Sequence, residues 1–169
     1  MALTVRDAQG ADAAAAARLL GQLGYPTEPG AVAARLERLQ IVGDRVVVAA
    51  IDEEVVGLAH LQVMPTIEYD RPAAKIGALV VDEAHRGEGI GRALVDELEQ
   101  EARGRGCVVL FLTTRAGRAD AHEFYRRVVL EETGKRFTKS LIWGLTSLAH
   151  PGQAYDESEG RTRRKERLP

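Results

Sequence analysis

The sequence has a single cysteine, almost no net charge and no apolar run long enough to span a membrane. Its one cysteine, Cys107, rules out a disulfide within the chain, and the apolar run Val108–Leu112 beside it favours a buried thiol for which a reducing compartment suffices. Acidic and basic residues nearly cancel, at a formal net charge of -2, so no global basic field is available to recruit nucleic acid. No apolar run reaches the roughly eighteen residues that span a bilayer, and residues 1–12 lack the pattern of a secretion signal. We therefore expect a cytoplasmic protein with no nucleic-acid and no membrane partner.

The length and the distribution of apolar residues indicate one folded domain followed by a tail. A chain of 169 residues can bury its own core without disulfide bonds or structural metal ions. From His150 onward the sequence is polar, with a basic run at Arg161–Lys165 and almost nothing apolar. Such a segment cannot offset its ordering entropy by burial. We expect a domain over residues 1–148 and a solvated, disordered tail over residues 149–169.

The spacing of the apolar residues predicts an α/β fold. The expected strands are Leu3–Arg6, Arg45–Ile51, Val55–Val63, Ile76–Val81 and Cys107–Leu112, with a hairpin over Leu130–Leu145. The expected helices are Ala11–Leu23, a second helix that ends near Gln40, Ile90–Arg103 and Asp120–Arg127. Thr27 is the expected N-cap of the second helix, because its hydroxyl can accept from a free N–H of the first turn.

A glycine-rich turn between the fourth strand and the third helix carries the strongest functional signal. Gly87, Gly89 and Gly91 fall at alternate positions where the helix begins. Without Cβ atoms the backbone can approach a ligand closely, and the unpaired amides of a helix N-terminus favour an anion such as pyrophosphate. A tight turn without a ligand is the alternative. No Gly-Lys-Ser/Thr is present for a P-loop, and the first strand–helix unit lacks Gly-x-Gly-x-x-Gly, so both of those phosphate motifs are excluded.

Two motifs resemble those of one known family. Residues 86–91, Arg-Gly-Glu-Gly-Ile-Gly, are similar to the acetyl-CoA signature of the GNAT superfamily, and residues 121–125, Ala-His-Glu-Phe-Tyr, are similar to its Ala-x-x-Phe-Tyr helix. The order of strands and helices matches that family from about Leu3 to Leu145. The resemblance implies a mixed, mostly antiparallel central sheet of about seven strands, splayed at strands 4 and 5, with about four helices.

The resemblance also implies acetyl-CoA as the cosubstrate and assigns most of its contacts to the backbone. The pantetheine arm would pair with the fourth strand, and the pyrophosphate would lie on the amides of the turn. Arg86 and Arg92 would add charge for the phosphates, with ordinary surface charge as the alternative for both. The cofactor-binding residues expected on this basis are Leu79, Val80, Val81, Arg86, Gly87, Glu88, Gly89, Ile90, Gly91 and Arg92. No metal is expected.

Acetyl transfer needs a neutral amine, a stabilised oxyanion and a proton for the departing sulfur. By the resemblance, Tyr125 is the general acid that protonates the thiolate. A backbone N–H within Leu79–Val81 would stabilise the oxyanion. The alternative for Tyr125 is a packed aromatic residue beside Phe124.

The general base is not evident from the sequence. Relatives often carry a glutamate inside the fourth strand, where this chain has Gly77. His60 and the polar connection Glu68–Asp70 supply candidates, although a structural or solvated role is the ordinary alternative for each. Tyr25, which lies between the first two helices, is expected to contact the acceptor together with His60 and Glu68. An amine that deprotonates in bulk water would need no base.

We therefore expect an N-acetyltransferase whose acceptor is a primary amine of a small molecule. A protein N-terminal or lysine acetyltransferase and a non-catalytic CoA-binding sensor are the alternatives, and a homodimer is left open. Two positions depart from the family pattern. Arg118 stands where relatives often have asparagine and could meet a CoA phosphate, and Val129–Leu130 stands where relatives usually have Gly-Phe.

Overall fold

The protein is described by a computed structural model that covers residues 2–114, 119–128 and 131–134, without the side chains of residues 119–122. The elements below all belong to the unit Met1–Thr133. Arg118, Val129–Leu130, most of the hairpin expected over Leu130–Leu145 and the tail expected over residues 149–169 lie outside the described residues.

Strands and helices follow the order that the sequence predicts. The strands are β1 (Leu3–Asp7), β2 (Arg45–Ile51), β3 (Glu54–Met64), β4 (Ala73–Val81) and β5 (Val109–Leu112). The helices are α1 (Ala13–Leu23), α2 (Pro29–Ile41), α3 (Ile90–Gly104) and α4 (Ala119–Arg127), with short 3-10 turns at Gly10–Asp12 and Glu83–His85. The number of α-helices within the described residues agrees with the expectation of about four. None of the described helices is both long enough and apolar enough to cross a membrane.

The described strands form one mixed sheet in the order β1-β2-β3-β4-β5. Neighbours from β1 to β4 are antiparallel, while β4 and β5 are parallel because α3 crosses over between them. The mixed, mostly antiparallel α/β fold is thus confirmed. The sheet has five strands within the described residues rather than about seven, and the two further strands were expected in the region beyond them.

Helices cover both faces of the sheet. On one face, α3 buries the residues that the helical spacing predicts, Ile90, Leu94 and Leu98. On the other face, α1 and α2 bury a surface rich in alanine that includes Leu19. Because successive residues of a strand point to opposite faces, β2 serves both cores, with Val47 towards α3 and Val48 towards α1 and α2.

The start of α2 differs from the sequence-based expectation. The N-cap is Glu28, not Thr27, and Pro29 occupies the first helical position. Proline suits that position because its missing N–H would have no partner there. The hydroxyl of Thr27 donates instead to the carbonyl of Tyr25, at 3.0 Å. The prediction that Thr27 caps the helix is therefore wrong by one residue.

A partly buried ion pair joins β1 to the start of α1. Both guanidinium nitrogens of Arg6 donate to the carboxylate of Asp12, at 2.7 and 2.8 Å, and the N–H of Gln9 donates to the same carboxylate at 2.8 Å. Asp12 is only 7% exposed. The hydrogen bonds from Arg6 hold the pKa of the Asp12 carboxyl below its ordinary value, against the opposing effect of burial.

Candidate active site

β4 leaves β5 partway along its length. The first half of β4, Ala73–Ile76, pairs in parallel with Val109–Leu112. β4 then continues to Val81 with no described strand on that side. Within the described residues, the second half of β4 is therefore an open sheet edge, which has backbone N–H and C=O groups available for an added strand. This opening agrees with the splay expected between strands 4 and 5.

A β-bulge marks the point where the edge opens. On β3, His60 lies opposite Ala78 of β4. The next residue, Leu61, lies opposite Ile76, so Gly77 has no partner and is the extra residue of the bulge. A bulge bends the strand and increases its local twist, which accounts for the departure of β4 from β5.

The backbone of β4 after the bulge alternates between its two neighbours. Asp82 donates its N–H to the carbonyl of Val56, at 2.8 Å, and so faces β3. Peptide groups alternate in direction along a strand, so Val81 and Leu79 turn their N–H and C=O groups to the open edge. Val80 faces β3, and its side chain is buried on the α1 and α2 side.

The turn after β4 is fixed to α1. The carboxylate of Asp82, a residue that is 8% exposed, forms an ion pair with Arg18 of α1 and accepts the N–H of Ala84 at 3.0 Å. The N–H of Glu83 donates to the side chain of Gln22 at 3.1 Å. These contacts place the second half of α1 beside the segment that leads into α3.

The glycine-rich turn presents a run of unpaired amides. The N–H of Ala93, which donates to the carbonyl of Gly89 at 3.0 Å, makes the first hydrogen bond of α3. None of the described residues accepts a hydrogen bond from the backbone N–H groups of residues 87–92. Gly87 and Gly89 have φ values of 87° and 84°, and a Cβ added to either would meet nothing within 4 Å. The turn therefore combines open space, free donors and the positive end of the α3 dipole, as an anion site requires.

Gly91 has a different role from the other two glycines. A Cβ at Gly91 would lie 3.0 Å from Cζ of Phe124 and 3.7 Å from Cγ2 of Val81. The close contact brings α4 against the first turn of α3, and Gly91 itself lies beside Val81 of β4. Tyr125 follows Phe124, is half-buried, and has its ring centroid 5.5 Å from that of Phe124 in an edge-to-face arrangement.

The two arginines of the turn already contact protein groups. Arg92 pairs with Asp96, Nε to Oδ1 at 2.9 Å, and its Nη1 lies 3.5 Å from the carbonyl of Arg127. Arg86 donates from Nε to the carbonyl of Val81 at 3.4 Å. Both arginine side chains are more than half exposed, so these contacts are weak. Their expected contact with phosphates stays a prediction.

The three residues expected to contact the acceptor lie on three different segments of the fold. Tyr25 follows α1 and is 45% exposed, and Glu68 is exposed in the connection between β3 and β4, at the opposite end of β4 from the glycine-rich turn. His60 lies beside the bulge at Gly77 and pairs with Asp44, Nε2 to Oδ2 at 2.9 Å. Sequence reasoning missed Asp44, whose one signal is its acidic side chain between a helix and a strand. Among the described side chains, no group of three or more histidines, cysteines and carboxylates could hold a metal ion.

Comparison with known proteins identifies the family. Residues 16–129 match the model of the acetyltransferase (GNAT) family. The chain therefore belongs to this family of acetyltransferases, whose acetyl donor is acetyl-CoA, and the expectation from its two motifs is confirmed.

Individual relatives agree with this assignment. An aminoalkylphosphonate N-acetyltransferase of Salmonella typhimurium is 38% identical over 88 residues, which make up 52% of this chain and 57% of that protein. The chain spans about half the length of the curated relatives it matches. A transcriptional regulator from Bacillus halodurans has a solved structure with 26% identity and a TM-score of 0.76, over 82% of this chain and 99% of that one. Glucosamine-6-phosphate N-acetyltransferase from Arabidopsis thaliana shares the fold, with 18% identity and a TM-score of 0.74, over 84% of this chain and 100% of that one.

Proposed function

We propose that this protein transfers an acetyl group from acetyl-CoA to a primary amine of a small molecule. One observation carries the proposal: the open edge of β4 is followed directly, along the chain, by the unpaired amides of the glycine-rich turn. A ligand that fits both must have hydrogen-bonding groups for a strand edge at one end and an anion at the other. The pantetheine arm and pyrophosphate of CoA meet that description.

Backbone groups would make most of the contacts with CoA. Leu79 and Val81 turn their peptide groups to the open edge, where the amides of pantetheine can pair as an added strand does. The amides of residues 87–92 would hold the pyrophosphate, helped by the α3 dipole. This division supports the site assignment, because neither segment then needs a reactive side chain to bind the cosubstrate.

Tyr125 is proposed as the general acid that protonates the departing sulfur. The packing of Phe124 against Gly91 supports this role, because it holds α4 against the first turn of α3, directly after the glycine-rich turn. A backbone N–H of Leu79 or Val81, both of which face the open edge, would stabilise the oxyanion. The protein would thus hold the thioester between β4 and α4.

The acceptor is proposed to be a small amine rather than a protein. The relative from Salmonella typhimurium is named for acetylating aminoalkylphosphonates, which are small amines that carry an anionic group. Because that similarity covers 52% of this chain, it supports the class of acceptor and not a particular compound.

A release assay on an acceptor panel tests the proposal. Purified protein is mixed with acetyl-CoA and with aminoalkylphosphonates, polyamines, aminoglycosides, or peptides with free lysines or N-termini, and free CoA thiol is followed together with the mass of the acceptor. Saturable release with an acetylated small amine is the expected result. Acetylation of peptides alone would indicate a protein acetyltransferase, and CoA binding without release would indicate a sensor. Absence of CoA binding would contradict the cosubstrate assignment itself.

A further inference from the structure

His60 and Asp44 form a largely buried imidazole–carboxylate pair. Nε2 of His60 lies 2.9 Å from Oδ2 of Asp44, and the two side chains are 14% and 10% exposed. Asp44 is held at the end of α2, where its N–H donates to the carbonyl of Leu39 at 2.9 Å. Burying a carboxylate is costly unless a partner satisfies it. The pair is therefore part of the packed interior of the fold and not a contact between two exposed side chains.

The carboxylate determines which ring nitrogen carries the proton. An ionised carboxylate only accepts hydrogen bonds, so Nε2 of His60 donates, and Nδ1 of the neutral ring keeps its lone pair. None of the described residues forms a hydrogen bond with Nδ1. The imidazole thus has a basic nitrogen available, and Asp44 can stabilise the positive charge that the ring gains with a second proton.

This nitrogen lies at the bulge of β4. A Cβ added to Gly77 would come within 2.5 Å of Nδ1 and 3.1 Å of Cε1 of His60. Only glycine therefore fits at this position while the ring stays in place. Gly77 is also the residue at which β4 leaves β5, so Nδ1 lies where the open edge begins.

We propose that His60 is the general base of acetyl transfer and that Asp44 is its positioning residue, an inference that rests on the proposed function. The ammonium group of the acceptor gives one proton to Nδ1, directly or through one water, and the neutral nitrogen forms a C–N bond with the thioester carbon. When the C–S bond breaks, the sulfur takes a proton from Tyr125, which regains one from the new amide nitrogen. One proton per turnover then leaves His60 for solvent.

Two charged side chains lie near the proposed base. Asp44 comes from the turn before β2. Lys75 of β4 lies opposite Gln62, on the same face of the sheet as His60. Val46 of β2 and Ala78 of β4 lie opposite His60, and Gln62 donates to Asp44 at 3.4 Å. A pH profile of the enzyme would therefore report on the imidazole in the field of Asp44 and Lys75.

The test compares His60→Gln with Gln62→Met, which removes the other side-chain contact to Asp44 and leaves the imidazole in place. For an acceptor of high pKa, His60→Gln is expected to lower kcat about a hundredfold or more, with unchanged CoA binding. The deficit should shrink as the pH approaches the pKa of the amine, because bulk water then supplies the neutral form. Gln62→Met should keep kcat within about twofold, and Asp44→Asn should shift the acidic limb of the kcat/KM profile.

The outcomes separate this inference from the proposed function. If the parent protein acetylates no amine, the proposed function itself is contradicted, whatever the His60 variant does. If the parent is active and His60→Gln keeps its kcat and pH profile, the assignment of the base is overturned. Should His60→Gln fail to fold, nitrogen NMR of the parent protein decides instead, since the proposal requires the proton on Nε2 in the neutral ring and a proton on Nδ1 would contradict it.

Discussion

The ring of Phe124 lies against Gly91 so closely that a side chain at Gly91 would have to displace it. A Cβ there would be 3.0 Å from Cζ and 3.2 Å from Cε2 of the ring. Gly87 and Gly89, by contrast, have positive φ values and open space around them. The three glycines of one motif therefore have two different physical settings, namely a packed helix contact at Gly91 and left-handed backbone with open space beside it at Gly87 and Gly89.

Gly91→Ala tests the packing role. Overpacking typically costs about 1–3 kcal/mol, while alanine in a helix returns about 1 kcal/mol relative to glycine, so we expect a net loss of about 1 kcal/mol in unfolding free energy. Gly104→Ala is the matched control, because it lies in the same helix and its Cβ would meet nothing within 4 Å. Urea unfolding should show Gly104→Ala to be at least as stable as the parent. Equal stabilities for the two variants would contradict the packing role.

Gly89→Asp tests the anion site. The added carboxylate would lie beside the unpaired amides and repel pyrophosphate, so CoA affinity measured by calorimetry is expected to fall at least about tenfold, which is about 1.4 kcal/mol. Gly106→Asp is the control, because Gly106 also has a positive φ, 74°, and open space, but follows the other end of α3. Parental affinity in a folded Gly89→Asp would show that the turn does not hold the pyrophosphate.

Tyr125→Phe tests the general acid. The change keeps the ring that meets Phe124 edge to face and removes the hydroxyl. Loss of a general acid costs about a hundredfold to ten-thousandfold in rate, and we expect the lower end of that range because a thiolate leaves readily. CoA affinity should not change. An unaltered kcat at the pH optimum would leave Tyr125 with a packing role alone.

Asp12→Asn tests the partly buried ion pair near the start of α1. The folded-state pKa of Asp12 is lowered below its ordinary value of 3.8, so its contribution is fully present above about pH 4 and is lost as the pH falls through the folded-state pKa. Since Arg6 is 40% exposed, we expect a cost of only about 1–2 kcal/mol at pH 7. Urea unfolding curves of parent and variant should converge as the pH falls through the folded-state pKa of Asp12. Glu99→Gln, which breaks an exposed pair with Arg103, should change stability by less than about 0.5 kcal/mol.

Periodicity sufficed to predict most of the elements, because each depends on residues close in sequence. The spacing of Ile90, Leu94 and Leu98 predicts α3, and the glycines before it predict the turn. The opening between β4 and β5 is different, since it depends on which strands pair and where pairing stops. That feature came only from the family resemblance.

The surroundings of His60 could not be predicted from the sequence. Its partner Asp44 is sixteen positions away, and the contact depends on where α2 ends and how β2 pairs with β3. In the sequence, Gly77 appears only as the absence of the glutamate that relatives often carry. In the structure, the ring of His60 occupies the space that a side chain at position 77 would need. The spacing of residues in the sequence does not show that a side chain at position 77 and the ring of His60 compete for the same space.

Positions 60 and 77 therefore form an epistatic pair. An acid introduced at Gly77 would collide with the imidazole, and loss of the imidazole alone would leave a gap at the bulge, so a scan of single substitutions would score both positions as intolerant. A glutamate at position 77 fits only if the ring of His60 moves or is replaced by a smaller side chain. A lineage that moved its base from one strand to the other by losing His60 first would pass through a protein that holds neither group.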